Sequence, residues 1–238
     1  MVTDGVFSEL SRGKLMLHAE KPTIHVIDDD PLLLETTRLL LVELRLENRV
    51  YLSAEKFLEA HKGQRLERMR GCIISDMQMS GVGGLEFQKI LKNIRCSLPI
   101  IFISGYADIQ LAVKAMKKGA FNFLEKPVRH SELIESINSA LLLNGEYLES
   151  QQAKDASSAS LQSLTARETE VLDSILEGLP NKLIAANLNI CQRTVEVHRA
   201  NIMEKMEANN TVTLVQKVIY SQNASLQDIE LPANSTKK

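Results

Sequence analysis

The sequence predicts an α/β domain with a doubly wound parallel sheet, followed by a small all-α domain. Three observations support this architecture. Short apolar runs alternate with amphipathic stretches over residues 23–143, a pattern typical of β/α units joined by right-handed crossovers. A polar, small-residue segment occupies residues 144–163. After it, residues 164–221 contain helical patterns and no run typical of a strand.

The first domain is predicted to contain five β/α units. Pro31 suits the first turn of a helix, and a glycine-rich turn at residues 80–84 follows the third strand. The predicted elements are strand 24–27, helix 31–44, strand 49–52, helix 53–61, strand 71–75, helix 85–94, strand 100–103, helix 107–118, strand 121–125 and helix 131–143. Residues 1–22 show no clear period, and we treat them as an N-terminal extension.

The second domain is predicted to be a bundle of four short helices. Thr165 with Glu168 three residues later forms a capping box at the first helix. Gly178 ends that helix, and Pro180 prevents its continuation. The other three helices are predicted at residues 182–187, 192–206 and 211–221. Residues 144–163 are predicted to be a linker whose first residues can continue the preceding helix, and residues 222–238 a polar tail.

Composition limits the class of protein. A hydrophobic content of 44% and a charged content of 24% are typical of a soluble globular protein, and a net charge of −2 excludes no class of partner. No apolar run reaches the roughly 20 residues that span a bilayer, so we expect no membrane contact. The three cysteines are odd in number and far apart, which predicts reduced thiols and a cytoplasmic location.

Chemically active side chains follow four of the predicted strands. Asp76 ends the buried run 71–75; the others are Asp28 and Asp29 after the first strand, Ser104 after the fourth and Lys126 after the fifth. The carboxyl ends of parallel strands meet at the edge where α/β proteins bind ligands. Clustered carboxylates need a cation to remain ionised together, and Mg²⁺ suits oxygen ligands. One carboxylate is then left as a nucleophile for a phosphoryl group.

Other interpretations of these acids are possible. Acids at strand ends also cap helices, and Asp30 before Pro31 fits that role. A phosphatase with an aspartate nucleophile would carry a second acid two residues later, where this chain has Gln78. A dinucleotide site would place its glycines after the first strand, not the third. We therefore expect no enzymatic activity.

Four segments of the first domain resemble the receiver domain of two-component response regulators, a flavodoxin-like fold. They are VIDDDP at 26–31, SDMQM at 75–79, ISG at 103–105 and EKP at 125–127. The resemblance implies that a partner histidine kinase phosphorylates Asp76. It also implies three groups of residues: Asp28, Asp29, Asp76 and the backbone carbonyl of Gln78 for Mg²⁺; Ser104 and Phe123 as a switch pair; and Lys126 for the phosphoryl group. The Lys126–Pro127 peptide bond is often cis in this family.

One position departs from the receiver pattern. Ser80 stands where the family usually has proline, so the loop after the phosphorylation site lacks a fixed φ angle. We expect altered loop mobility and an altered lifetime of the acyl phosphate.

The second and third helices of the all-α domain have helix-turn-helix proportions. Val195, Ile202 and Met206 share one face of the third helix and are predicted to pack inward. The opposite face mixes small, apolar and polar groups, which suits base edges in a major groove. Residues 182–205 contain four basic and two acidic side chains. Charge and period alone leave a protein-binding bundle about as probable as a DNA reader.

A second resemblance favours DNA. The segments LTARETEVL at 164–172, EGLPNK at 177–182 and RTVEVHRANIMEK at 193–205 resemble the LuxR-type DNA-binding domain. With a receiver, the chain is similar to FixJ-type response regulators, which implies a phosphorylation-dependent regulator that binds promoter DNA as a homodimer when phosphorylated. The expected DNA contacts are Lys182, Arg193, Thr194, Glu196, Val197, Arg199, Ala200 and Lys205. The alternative is a signalling adaptor whose helices bind protein. Cys191 stands where the family has serine or threonine, which predicts a weak helix cap.

Overall fold

The computed structural model describes residues 21–105 and 109–223. The chain divides into two compact units with the boundary between Asn144 and Gly145. Most of the predicted N-terminal extension and polar tail lies outside the described residues, as do the first two residues of the helix predicted at 107–118.

The first unit contains a five-stranded sheet in the order β2-β1-β3-β4-β5, with every neighbouring pair parallel. The strands are β1 (Thr23–Ile27), β2 (Glu47–Tyr51), β3 (Gly71–Asp76), β4 (Ile100–Ser104) and β5 (Asn122–Glu125). This topology confirms the doubly wound α/β fold. The strand order reverses between β1 and β3, and such a reversal creates the crevice where α/β proteins bind ligands.

Helices cover both faces of the sheet. They are α1 (Pro31–Glu43), α2 (Ala54–Ala60), α3 (Gly84–Asn93), α4 (Ile109–Lys117) and α5 (His130–Gln162), with a short 3-10 turn at Leu66–Arg68. Asp30 caps α1 by accepting the N–H of Leu32 at 2.9 Å, and Ser53 caps α2. The capping interpretation of Asp30 is therefore correct.

Two apolar layers enclose the sheet. Phe57, Phe87 and Phe102 are fully buried on one face, and the other face buries Leu41, Ile74 and Ile137. Every residue of β3, the central strand, is buried. A strand with both faces covered needs a continuous apolar run, which is why the sequence predicts β3 to within one residue.

The helix predicted to end at residue 143 is much longer in the structure, where α5 continues to Gln162 through the segment predicted as a linker. That segment is polar, but its Glu, Gln, Ala and Leu residues are good helix formers. Asn144 in this helix is 2% exposed. Its side chain accepts the Gly71 N–H at 3.0 Å and donates to the carbonyls of Met69 and Ser97 at 3.3 and 3.1 Å. It therefore fastens α5 to the start of β3.

The second unit is helical. Its helices after α5 are α6 (Ala166–Leu176), α7 (Asn181–Asn187), α8 (Gln192–Lys205) and α9 (Thr211–Asn223). Val195, Ile202 and Met206 lie in its core, as predicted for the inward face of α8. The capping box of Thr165 and Glu168 is also present. Among the described residues, no helix is both long and apolar enough to cross a bilayer.

Candidate functional site

Strand register brings the predicted groups of the first unit to one edge of the sheet. Ile27 pairs with Ser75, so the next residues, Asp28 and Asp76, lie side by side. Ser104 pairs with Glu125, which places Lys126 just beyond the end of β4. The prediction that these strand ends converge is correct for Asp28, Asp76 and Lys126.

The Lys126 ammonium joins the two acids. Its Nζ lies 2.6 Å from Asp76 Oδ1 and 3.0 Å from Asp28 Oδ2. Burial alone would lower the pKa of Lys126, but hydrogen bonds to Asp76 and Asp28 raise it above its ordinary value. The lysine is therefore a positive charge held between two carboxylates. The Lys126–Pro127 peptide bond is cis.

Asp76 is 5% exposed at the end of the central strand. Its Oδ2 accepts the backbone N–H of Gln78 at 2.6 Å. Burial raises the pKa of the Asp76 carboxyl above its ordinary value, while the bonds from Lys126 and Gln78 act in the opposite direction. The result is a buried carboxylate held beside a fixed cation.

Asp29 is held by a different partner. Its Oδ2 accepts both the backbone N–H and the hydroxyl of Ser80, each at 2.8 Å. These two bonds, the backbone one first, hold the pKa of Asp29 below its ordinary value. In the part of the chain that the structure describes, no three carboxylate, imidazole or thiol groups stand close enough together to hold a metal ion.

The donor set nevertheless fits a hard cation. Asp28, Asp29 and Asp76 offer carboxylate oxygens and Gln78 offers a carbonyl, which are the ligands that Mg²⁺ prefers. The Lys126 ammonium already supplies positive charge between two of these carboxylates. The sequence did not reveal that Ser80 would take up the third carboxylate.

The two residues of the predicted switch pair lie on neighbouring strands. Ser104 is fully buried at the end of β4. Phe123 lies in β5 and is half-buried against the apolar layer that contains Phe57, Phe87 and Phe102. Their roles as a switch remain a prediction.

Helix α8 carries most of the predicted DNA contacts in the second unit. Arg193, Glu196, Val197 and Ala200 are exposed on it, and Val197 is 53% exposed although its side chain is apolar. Thr194 and Arg199 are half-buried; Arg199 donates to the Thr211 hydroxyl at 3.3 Å. Lys182 is exposed in the first turn of α7. Cys191 precedes α8 without a side-chain cap to its backbone.

Lys205 is positioned differently from the other predicted DNA contacts. Its Nζ lies 2.7 Å from Glu168 Oε2 and 3.2 Å from the Ser163 carbonyl oxygen. Glu168 is 3% exposed, and the Lys205 ammonium is the main cause that lowers its pKa to about 2. Lys205 therefore fastens the end of α8 to the start of α6. This ion pair favours a structural role for Lys205 over the predicted contact with DNA phosphates.

Comparison with known proteins identifies both units. The model of the response regulator receiver domain matches residues 24–138, and that of the luxR family of bacterial regulatory proteins matches residues 162–218. The chain is 38% identical to the transcriptional regulatory protein TdiR of Thauera aromatica, over 83% of this chain and 85% of TdiR. It is also 38% identical to FixJ of Azorhizobium caulinodans, over 88% and 97% of the two chains.

A solved structure is similar over most of the chain. The response regulator StyR is 39% identical, with a TM-score of 0.76 over 84% of this chain and 99% of StyR. The protein is thus a FixJ-like response regulator, a member of the family of transcriptional regulators that join a receiver domain to a LuxR-family DNA-binding domain.

Proposed function

We propose that Asp76 accepts a phosphoryl group from a partner histidine kinase, and that the phosphorylated chain regulates promoters through α8. The observation that carries this proposal is the contact between Asp76 Oδ1 and Lys126 Nζ at 2.6 Å, with Asp28 on the same ammonium. A buried carboxylate that faces a fixed cation at the carboxyl edge of a parallel sheet is arranged for phosphoryl transfer.

In the transfer, a carboxylate oxygen of Asp76 forms a bond to phosphorus while the bond from phosphorus to the kinase's histidine nitrogen breaks. The electron pair of that bond returns to the imidazole. The new acyl phosphate adds about 1.5 to 2 negative charges near neutral pH, and the Lys126 ammonium partly balances them.

Asp28, Asp29, Asp76 and the Gln78 carbonyl would hold Mg²⁺ at this site. When bound, the ion supplies further positive charge next to the phosphoryl oxygens. Two residues orient the Asp76 carboxylate. The Gln78 N–H donates to one of its oxygens, and the Lys126 ammonium donates to the other.

The phosphoryl group then shifts a conformational equilibrium. The Ser104 hydroxyl donates to a phosphoryl oxygen, and Phe123 on the neighbouring strand moves with it. This biases the first unit between two states. The altered face either forms a homodimer or releases the helical domain from an inhibitory contact. A chain that sediments as a monomer both with and without the phosphoryl group would exclude dimerisation.

The exposed face of α8 is proposed to read DNA. Arg193 and Lys182 contact DNA phosphates. Arg199 and Thr194 lie beside them and contact DNA at the edge of the groove. Glu196, Val197 and Ala200 face bases, where an apolar side chain suits a thymine methyl group. Because few basic groups take part, one domain alone binds DNA weakly. The second domain of a dimer supplies the remaining affinity. The protein acts in the cytoplasm as a phosphoacceptor and regulator, not as an enzyme.

Footprinting on genomic fragments tests this function. We expect protected sites that strengthen when the full chain is treated with acetyl phosphate and Mg²⁺, and no strengthening in Asp76→Asn. Absence of protection in both states would contradict DNA binding and favour an adaptor that binds protein.

A further inference from the structure

Ser80 and Asp29 connect two loops that are 51 residues apart in the chain. Both donors of Ser80, its N–H and its hydroxyl, lie 2.8 Å from the same oxygen, Asp29 Oδ2. A proline at position 80 would have neither donor. The hydroxyl bond therefore depends on the serine, whereas the backbone bond needs only a residue other than proline.

Asp29, the acceptor in this contact, is also one of the proposed Mg²⁺ ligands. Lys126 lies between Asp28 and Asp76, and Asp29 is bonded to Ser80 instead of joining them. Within the described ranges, the acids are not grouped as a metal site. Because Asp29 Oδ2 accepts both bonds from Ser80, that oxygen is less available to a cation, and its coordination to Mg²⁺ would require loss of the Ser80 donors.

The loop that carries Ser80 has a second attachment. The Val82 N–H donates to Glu55 Oε1 at 2.9 Å, and Glu55 lies in the first turn of α2. Loss of the bonds to Asp29 therefore releases one end of residues 80–82 and leaves the other end attached. Cation binding and loop release are thus coupled through a single carboxylate.

We propose that Ser80 is a positioning residue that competes with Mg²⁺ for Asp29, and so weakens cation binding and couples it to the loop after Asp76. This inference rests on the proposed function, because it concerns the same phosphoacceptor site. It differs from the expectation of a merely more mobile loop, since it gives the hydroxyl a defined partner and a direction of effect.

Calorimetric titration of the full chain with MgCl₂ tests the competition. Ser80→Ala keeps the backbone donor and removes the hydroxyl, so we expect the dissociation constant for Mg²⁺ to fall roughly three- to tenfold, as loss of one charge-assisted hydrogen bond allows. Ser163→Ala, an exposed serine of the second unit, is the matched control and should change nothing. In an Asp29→Asn background, Ser80→Ala should alter the constant less than twofold. An unchanged or weaker affinity in Ser80→Ala would overturn the inference.

Amide NMR of the ¹⁵N-labelled full chain supplies a second measurement that does not depend on phosphorylation. We expect saturating Mg²⁺ to shift the Ser80 amide proton upfield as it loses its carboxylate acceptor. In Ser80→Pro, which has no such amide, Mg²⁺ should bind at least as tightly as in Ser80→Ala. A Ser80 amide that keeps its position at saturation shows that the contact does not open.

The outcomes also separate this inference from the proposed function. If the wild type binds no Mg²⁺ and Asp76 gains no phosphoryl group, both fail. If the wild type binds Mg²⁺ and is phosphorylated, but Ser80→Ala binds the ion equally well, only the role of Ser80 is rejected.

Discussion

Lys126 and Asp76 lie on the ends of β5 and β3, 50 residues apart in the chain, with 2.6 Å between the ammonium nitrogen and a carboxylate oxygen. Asp28 shares the same ammonium at 3.0 Å. Two carboxylates this close would repel each other at low exposure without a cation. The Lys126 ammonium therefore offsets the repulsion between the two carboxylates.

Replacing Lys126 should impair phosphorylation. In Lys126→Met, Asp76 and Asp28 lose their common cation, and the acyl phosphate loses its balancing charge. We expect the rate of phosphorylation by acetyl phosphate to fall at least about tenfold, because loss of one charged partner in the transition state costs this much or more. Lys126→Arg keeps the charge in a different geometry and should lose less. Intact-mass spectrometry measures both rates, and an unchanged rate in Lys126→Met would contradict the role of the lysine.

Acid should destabilise the first unit through His25. This side chain is 1% exposed, and burial, with smaller effects of His61 and Arg49, lowers its pKa from 6.5 to about 3. Between these pH values the unfolded chain binds a proton that the folded chain does not. Stability is therefore intact above pH 6.5 and falls as the pH drops, by up to about 1.4 kcal/mol per pH unit from this group.

Urea unfolding at pH 7.0 and 5.5, followed by circular dichroism, measures this dependence. His25→Phe removes the titrating group and keeps a ring among Tyr51, Phe57 and His61, so its stability should change less between the two pH values. His130→Gln, at an exposed histidine, should behave like the wild type. The same pH dependence in His25→Phe would assign the acid sensitivity to other groups.

Removing the side chain of Asn144 should destabilise the first unit. Asn144→Ala leaves the Gly71 N–H and two backbone carbonyls without their buried partner. Because an unsatisfied buried group costs about 1–3 kcal/mol, we expect a total loss of about 2–4 kcal/mol in the free energy of unfolding. Asn138→Ala, at an exposed position of the same helix, is the control. Equal stabilities of the two variants in urea would rule out Asn144 as an anchor.

Two basic residues of α8 should respond oppositely to substitution. Arg193→Ala should leave stability unchanged and weaken DNA binding, reducing the slope of log K against log salt by about 0.9 for each phosphate that the protein no longer neutralises. Lys205→Met should leave that slope unchanged and lower stability by about 1–3 kcal/mol, because buried Glu168 loses its cation. Binding isotherms at several salt concentrations and urea unfolding separate the effects. A reduced salt slope in Lys205→Met would show that this lysine contacts DNA after all.

Predictions from the sequence were correct where burial or the direction of the strands restricts which residues can occupy a position. The central strand β3 is buried on both faces and consists of an uninterrupted apolar run that ends in Ser75 and Asp76. The proximity of Asp28, Asp76 and Lys126 was predicted correctly because the carboxyl ends of parallel strands lie at the same edge of the sheet. By contrast, β2 is an edge strand whose first three residues are polar. The sequence therefore predicts its start two residues late.

The contacts that the sequence did not reveal join residues far apart in the chain. Ser80 with Asp29 and Lys205 with Glu168 are separated by 51 and 37 residues, and no spacing rule applies to such pairs. The length of the helix through residues 144–162 was underestimated for another reason. Its polar composition suggested a linker, while the helix propensity of the same residues favoured continuation of α5.

The central claim is that Asp76 carries the phosphoryl group. Intact-mass spectrometry of the full chain after incubation with acetyl phosphate and Mg²⁺ tests it most directly. We predict a gain of one phosphoryl mass in the wild type and in Asp173→Asn, whose aspartate is exposed on α6, and no gain in Asp76→Asn. A wild type without the gain, or an Asp76→Asn chain that retains it, would contradict the account.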